Sequence, residues 1–224
     1  MKFENTQVFN FEGALRGMRN PKNSWAKSDS YYDEDKYIIG ENDMRLATTL
    51  IKAGSEHRKF LRQIFVSVDI TAPLYWWKEF DTYKVGTVAN STSTMHKLAS
   101  TPITIDCFET DDYCPSIRLI DDIGIGTCAT AFISELEQLR KIYLETNDKT
   151  YWKELIRWLP ESWLQTRTVT LNYENLLAIC KHRRHHKLNE WSGADKSDLP
   201  NFISWARSLP YAKEFIFSDE DSQQ

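Results

Sequence analysis

Polar and apolar positions change period several times along this chain, and each change marks an element. From Asn42 the apolar residues Met44, Leu46, Leu50 and Ile51 form a helical stripe. Asn42 is placed to cap that helix, Asp43 suits its first turn and Gly54 closes it. Over 61–72 the period falls to two: Phe65, Val66, Val68 and Ile70 are apolar, with Ser67 and Asp69 between them, which predicts a strand. Pro73 can open a helix, and 74–84 reads as one. The small, hydroxyl-rich stretch 85–94 (VGTVANSTST) reads as a loop of the kind that meets ligands.

Further on, 97–128 carries turn signals and scattered apolar positions. A long amphipathic helix is predicted over 130–145, and a short one over 151–159 that Pro160 ends. Residues 165–172 (QTRTVTLN) alternate like a strand, 173–191 is helical, and a last helix runs over 199–208. Residues 1–41 mix aromatics with Asn, Ser, Asp and Tyr without a sustained period and read as an ordered surface arm of short strands or turns. Helices and strands mix irregularly, which gives an α+β, or mixed α/β, layout in a single domain over 1–217, followed by a flexible acidic tail over 218–224.

Composition narrows the function classes. The chain has 224 residues, 41% of them hydrophobic, enough for one globular core. The net charge of −4 argues against a general nucleic-acid binder, though a small phosphorylated ligand needs only a few local cations. No apolar run approaches the roughly 20 residues of a membrane helix, and the first residues lack a signal-peptide layout, so no membrane association and a cytoplasmic location are expected. Cys107, Cys114, Cys128 and Cys180 lack zinc-site spacing and read as reduced thiols. No glycine-rich phosphate loop follows a strand, and no Gly-x-Ser-x-Gly elbow occurs.

Four constellations could carry chemistry. In the first, Thr166 and Arg167 precede a strand-to-helix junction at Asn172, and Arg183 lies about three turns down the helix. That arginine reads either as a bidentate phosphate ligand or as a surface cation near a helix end. The basic run His182 to Lys187 reads as a phosphate grip or a helix terminus. Consecutive histidines on a helix point in different directions, so no metal site is expected. The unit from Trp76 to His96 combines Lys78, Glu79 and Lys84 with a Ser/Thr loop able to hold a phosphate. Lastly, His57 follows a helix stop beside Arg58 and Lys59, where it could meet an anion or sit in a solvated turn.

The order of these signals over 42–191 resembles the flavin-dependent thymidylate synthases. That resemblance implies a central, mostly antiparallel sheet flanked by long helices. It also implies FAD as cofactor, NADPH and methylene-tetrahydrofolate as co-substrates, and a dUMP-like nucleotide as partner in a homotetramer. The activity it implies is reductive one-carbon transfer to C5 of dUMP, and the alternative is a non-catalytic nucleotide-binding or assembly protein on the same fold. Carried over position by position, it places His57, Lys84, Asn172 and Glu174 at the cofactor, and Glu79, Asn90, Thr94 and Arg183 at the substrate. The signature serine falls on Thr92 or Ser93, the candidate catalytic positions. The family's Arg-His-Arg becomes Thr82-Tyr83-Lys84, and its dUMP-contacting glutamine becomes Glu79. With that charge missing, either the ligand differs, or cations elsewhere (Arg16, Arg19, Arg58, Arg62) compensate, or the site is degenerate.

Overall fold

The computed structural model describes residues 1–110, 125–193 and 198–219. The first 41 residues carry more regular structure than their sequence predicts. Strand β1 (Lys2–Phe9) is followed by helix α1 (Phe11–Arg19) and a short hairpin of β2 (Tyr31–Asp33) and β3 (Lys36–Ile38). Helix α1 does have an apolar stripe, Phe11, Ala14, Leu15 and Met18, all buried. Gly13 and Gly17 hide it by lowering helix propensity. Those glycines allow close packing: a Cβ on Gly13 would lie 2.2 Å from Oδ1 of Asn10, and one on Gly17 would lie 2.8 Å from Oε1 of Gln63.

Helix α2 spans Glu41–Lys52, so Asn42 lies inside the helix and the cap is Gly40. The capping group comes from outside the local sequence. The Asp29 carboxylate accepts the backbone N–H of Asn42 at 2.9 Å and of Asp43 at 3.1 Å. Asp43 is therefore not a surface dipole partner. It is fully buried, accepts from Nε of Arg19 at 2.6 Å, and takes the hydroxyls of Ser28 and Ser30, each at 2.6 Å. Burial pushes its pKa up, but the two hydroxyls and the guanidinium more than reverse this and hold it below the usual carboxylate value.

The alternating segment forms β4 (Phe65–Pro73), with Val66, Val68 and Ile70 buried. Helix α3 (Leu74–Phe80) is shorter than predicted and ends before Thr82. The predicted loop contains strand β5 (Val88–Ser91), and the one-turn helix α4 (Thr94–Lys97) follows it. Then come α5 (Ile125–Thr146), α6 (Lys149–Arg157), β6 (Leu164–Asn172) and α7 (Tyr173–Arg183). The predicted helix over 173–191 breaks after Arg183 and resumes as the short α8 (Asn189–Ser192). Helices α9 (Phe202–Arg207) and α10 (Ala212–Phe215) complete the order.

Four strands form one sheet in the order β1-β4-β6-β5. Backbone bonds join the start of β4 to the end of β6 (Tyr173 N–H to Ile64 C=O, 3.0 Å) and the end of β4 to the start of β6 (Leu74 N–H to Trp163 C=O, 3.1 Å). The pair is therefore antiparallel. The result is the mixed α/β layout with an antiparallel sheet that the sequence leads one to expect.

Contacts divide the chain into two compact units. One comprises Met1, Thr71–Asp81 and Asn90–Arg167. Its core is Leu98, Ile103, Phe108, Leu136 and Leu155. Glu137 ties it together, binding Arg140 through two 2.7 Å contacts and accepting the Ile103 N–H at 2.8 Å. The Arg140 guanidinium brings the Glu137 pKa down from 4.5 to about 2. The other unit comprises Lys2–Ile70, Thr82–Ala89 and Thr168–Gln224. Its core joins Leu15, Ile64, Tyr173, Leu176 and Phe215, with Phe11, Phe60 and Phe215 contributing edge-to-face rings. There the hydroxyl of Tyr211, a residue at φ 55°, accepts the Ile39 N–H and donates to the Tyr37 carbonyl, both at 3.0 Å. No helix among the described residues is long and apolar enough to cross a membrane.

Two stability predictions follow from the buried ion pairs. Asp43→Ala leaves Arg19 buried without its counter-charge and should cost about 3–5 kcal/mol in urea unfolding. The folded pKa of Glu137 lies below its unfolded value. Its contribution is thus full above pH 4.5 and disappears as the pH falls toward 2. Glu137→Gln should flatten stability across that window while the wild type loses stability.

Candidate functional site

Helix α7 begins abruptly, and its start organises the surrounding groups. The Asn172 side chain accepts the Asn175 N–H at 2.9 Å, and the Asn175 side chain accepts the Asn172 N–H at 3.3 Å, a reciprocal capping box. Asn172 thus takes the capping place expected of it, and it is buried. Asn175 also donates from Nδ2 to the Val85 carbonyl at 2.7 Å, which draws the 82–87 turn onto the helix start. Gly86 sits in that turn at φ +76°, where a Cβ would lie 2.9 Å from Oδ1 of Asn175 and 3.1 Å from Nδ2 of Asn172. The Thr87 hydroxyl closes the turn on the Tyr83 carbonyl.

Docking the turn brings Tyr83 to the far end of α7. Arg183 donates from Nε to the Tyr83 hydroxyl at 2.9 Å. Its guanidinium carbon lies 5.6 Å from the centroid of the Tyr83 ring and 4.9 Å from that of Trp191. Two π faces on one guanidinium fix its plane and favour its charge. The phenol oxygen of Tyr83 accepts from Arg183, and its proton has no acceptor among the described residues. The pair can therefore offer an oxyanion a cation and a hydroxyl together. Sequence reasoning assigned no role to Tyr83 or Trp191. No local pattern signals the Tyr83 contact, which spans 100 residues.

Three of the four arginines expected as compensating cations are paired within the fold. Arg19 is held by Asp43, Arg16 lies 3.5 Å from Glu12, and Arg58 donates from Nε to both oxygens of Glu174 at 3.0 and 3.1 Å. Glu174, expected at the cofactor, is thereby neutralised by a residue 116 positions away. Lys84 is exposed. His57 lies in the turn after α2, its N–H bonded to the Gly54 carbonyl at 3.0 Å. It lines a cleft of about 670 Å³ whose wall includes Met18, Leu46, Leu50 and Phe60, with Lys22 and Lys59 also lining it. A recess of about 890 Å³ beside α1 and the β2–β3 hairpin is lined by Arg16 but by none of the residues that the resemblance places at the cofactor or the substrate.

The remaining predicted residues belong to the other compact unit. Glu79 is half-buried on α3, and Asn90 is exposed on β5. Thr92 is held through its backbone: its N–H donates to the Thr166 carbonyl at 2.9 Å, and its carbonyl accepts from Nε2 of Gln165 at 3.0 Å. Ser93 and Thr94 are half-buried at the start of α4, where the Ser93 carbonyl accepts the Lys97 N–H. Arg167 lies over the Trp77 ring at 4.2 Å and donates to Asp81 at 2.8 Å.

No family model and no curated protein matches the sequence. Solved structures do match in three dimensions. Flavin-dependent thymidylate synthase ThyX from Helicobacter pylori, complexed with FAD and dUMP, is similar in one structure at 16% identity and TM-score 0.61, covering 98% of this chain and 99% of that one. A second structure of that enzyme with FAD and dUMP gives 17% and 0.63, with 98% of each chain covered. The UMP/dUMP methylase PolB from Streptomyces cacaoi, bound to 5-Br dUMP, gives 14% and 0.58, covering 97% of this chain and 95% of that one. What these proteins share with the present chain is the fold, along nearly its whole length.

Gly86→Ala tests the turn that carries Tyr83. A left-handed residue with a side chain costs roughly 1–2 kcal/mol, and here the new methyl also presses on the Asn172–Asn175 box. A lowered urea midpoint with an unchanged slope is the expected result.

Proposed function

We propose that this chain binds a uracil-type deoxynucleotide through Arg183 and is a divergent, FAD-dependent relative of the thymidylate synthases whose fold it shares. The observation that carries this reading is the fixed Arg183 guanidinium, held by Tyr83 and Trp191 where the family resemblance puts the dUMP-contacting arginine. The neighbours were solved with FAD and dUMP or with 5-Br dUMP, which supports a pyrimidine nucleotide. Tyr83 stands in the altered Thr82-Tyr83-Lys84 signature, and its hydroxyl replaces part of the lost donor set. In this reading Arg183 pairs with the nucleotide phosphate and Tyr83 donates a second hydrogen bond to it.

The His57 cleft suits a flavin ring or adenine in size and in its apolar wall, and Lys22 suits the pyrophosphate, while Lys59 lies 3.8 Å from Glu56, which also lines the cleft. His57, Lys84, Asn172 and Glu174 would hold the cofactor. When bound, FAD supplies hydride chemistry, with NADPH as reductant and methylene-tetrahydrofolate as carbon donor for transfer to C5. Thr92 and Ser93 are the candidate catalytic positions, and Glu79, Asn90 and Thr94 the further substrate contacts. Exposed Phe9, Trp25, Tyr31 and Tyr32 are compatible with a cytoplasmic homotetramer.

A second reading, a non-catalytic nucleotide-binding or assembly protein on this fold, is favoured by one observation. Arg58, one of the cations expected to compensate for the altered signature, is paired with Glu174 at 3.0 Å.

The visible spectrum of the purified protein and a dUMP titration test the first reading. We expect flavin absorbance and saturable dUMP binding. Arg183→Ala should weaken dUMP by about tenfold or more, since one charge-assisted bond contributes about 1.5–3 kcal/mol. Tyr83→Phe should weaken it by a smaller factor. A colourless protein that takes up neither FAD nor dUMP would defeat it. Rescue of a thymidine-requiring strain that fails with Arg183→Ala supports the enzyme, whereas dUMP binding without rescue supports the second reading.

A further inference from the structure

Helix α7 ends at Arg183, yet Trp191, whose ring lies on that guanidinium, comes later in the chain, on α8. The backbone must reverse between them, and α8 cannot hold its own place. It has four residues, too few to be stable alone, and Leu188 gives it no side-chain cap. A group outside α8 has to fix its start.

His186 supplies that group. Its N–H donates to the Arg183 carbonyl at 3.0 Å, which continues the turn out of α7. Its carbonyl accepts the Ser192 hydroxyl at 2.6 Å, at the far end of α8. Its Nδ1 accepts the Leu188 N–H at 3.2 Å, at the near end. Its ring meets the Trp191 ring edge to face, with centroids 6.3 Å apart. The two backbone bonds are open to any residue, but Nδ1 and the ring belong to histidine. A ring nitrogen that accepts an N–H carries no proton of its own, so Nδ1 is not a donor to an anion. Trp191 is also buried against Phe202, with centroids 5.2 Å apart. That contact accounts for its burial, whereas the link through His186 sets where α8 lies relative to the end of α7.

We propose that His186 is a positioning residue for Arg183: through Nδ1 and its ring it sets the link from α7 to α8 and so holds Trp191 on the guanidinium. Its value to a ligand rests on Arg183 being the cation that meets the nucleotide. An arginine that loses one of its facing rings samples more rotamers, and a ligand must then order it on binding.

Three variants of the full chain test this. Asparagine carries Oδ1 where histidine carries Nδ1, glutamine places its amide one atom further out, and alanine has neither. The readouts are the Arg183 Nε–H resonance without nucleotide, assigned by its loss in Arg183→Lys, and dUMP affinity by calorimetry. His186→Ala and His186→Gln should move the resonance toward that of an unstructured arginine and weaken dUMP about fivefold, the scale of one cation–π contact. His186→Asn should hold the resonance near its wild-type position and recover most of the affinity. The proposal is overturned if the resonance stays in place in His186→Ala, or if His186→Asn does no better than His186→Gln, a comparison that stands even where the alanine variant fails to fold. Wild-type protein that binds no dUMP, with the resonance responding as expected, removes the nucleotide reading and supports the positioning role.

Discussion

The chain must stop being a strand and become a helix within one residue, Asn172, and the arrangement around Arg183 depends on how it does so. Strand β6 stays paired until the Tyr173 N–H reaches the Ile64 carbonyl, and the helix starts at once. The orphan N–H groups of a first turn need acceptors, and Asn172 and Asn175 satisfy each other. Asn175 has one donor left, and it takes the Val85 carbonyl. That one bond seats the turn carrying Tyr83, and Tyr83 in turn orients Arg183. A helix cap worth about 1 kcal/mol thus positions a cation eleven residues away from it.

What could be read from the sequence was what is decided locally. The alternation of Val66, Val68 and Ile70 reports a half-buried strand, and the Asn172 cap reports a helix start, because both depend on neighbours a few residues away. The errors have a common physical origin in distant partners. Asn42 looked like a cap, but the chain caps α2 with Asp29. Residues 88–91 looked like loop, yet they are β5, because polar strands are set by pairing and not by composition. Helix α1 was hidden by two glycines whose value lies in what they pack against. At the candidate site, Asn172 and Arg183 were visible, while the Tyr83 contact spans 100 residues and the Arg58–Glu174 pair spans 116, beyond any local pattern.

The charges show the same division between local reading and tertiary outcome. The sequence offers Arg16, Arg19, Arg58 and Arg62 as candidate anion ligands. The fold spends them differently. Arg19 and Asp43 form a buried pair whose desolvation is offset only because Ser28 and Ser30 complete the carboxylate's hydrogen bonds. Arg167 is committed to Trp77 and Asp81. The group that meets Arg183 is uncharged, a tyrosine whose hydroxyl and ring both act on the guanidinium.

Tyr211 has a consequence of another kind. Its hydroxyl meets the N–H of Ile39 and the carbonyl of Tyr37, groups that lie on the same edge of an extended chain. Those are the groups a neighbouring strand would otherwise use. One phenol thus stands in for a strand along that edge of β3, and an incoming β-segment from another molecule finds its first two hydrogen bonds already taken. In a two-stranded hairpin carrying exposed Tyr31 and Tyr32, this hinders addition at the β3 edge, the kind of pairing by which exposed aromatic hairpins aggregate.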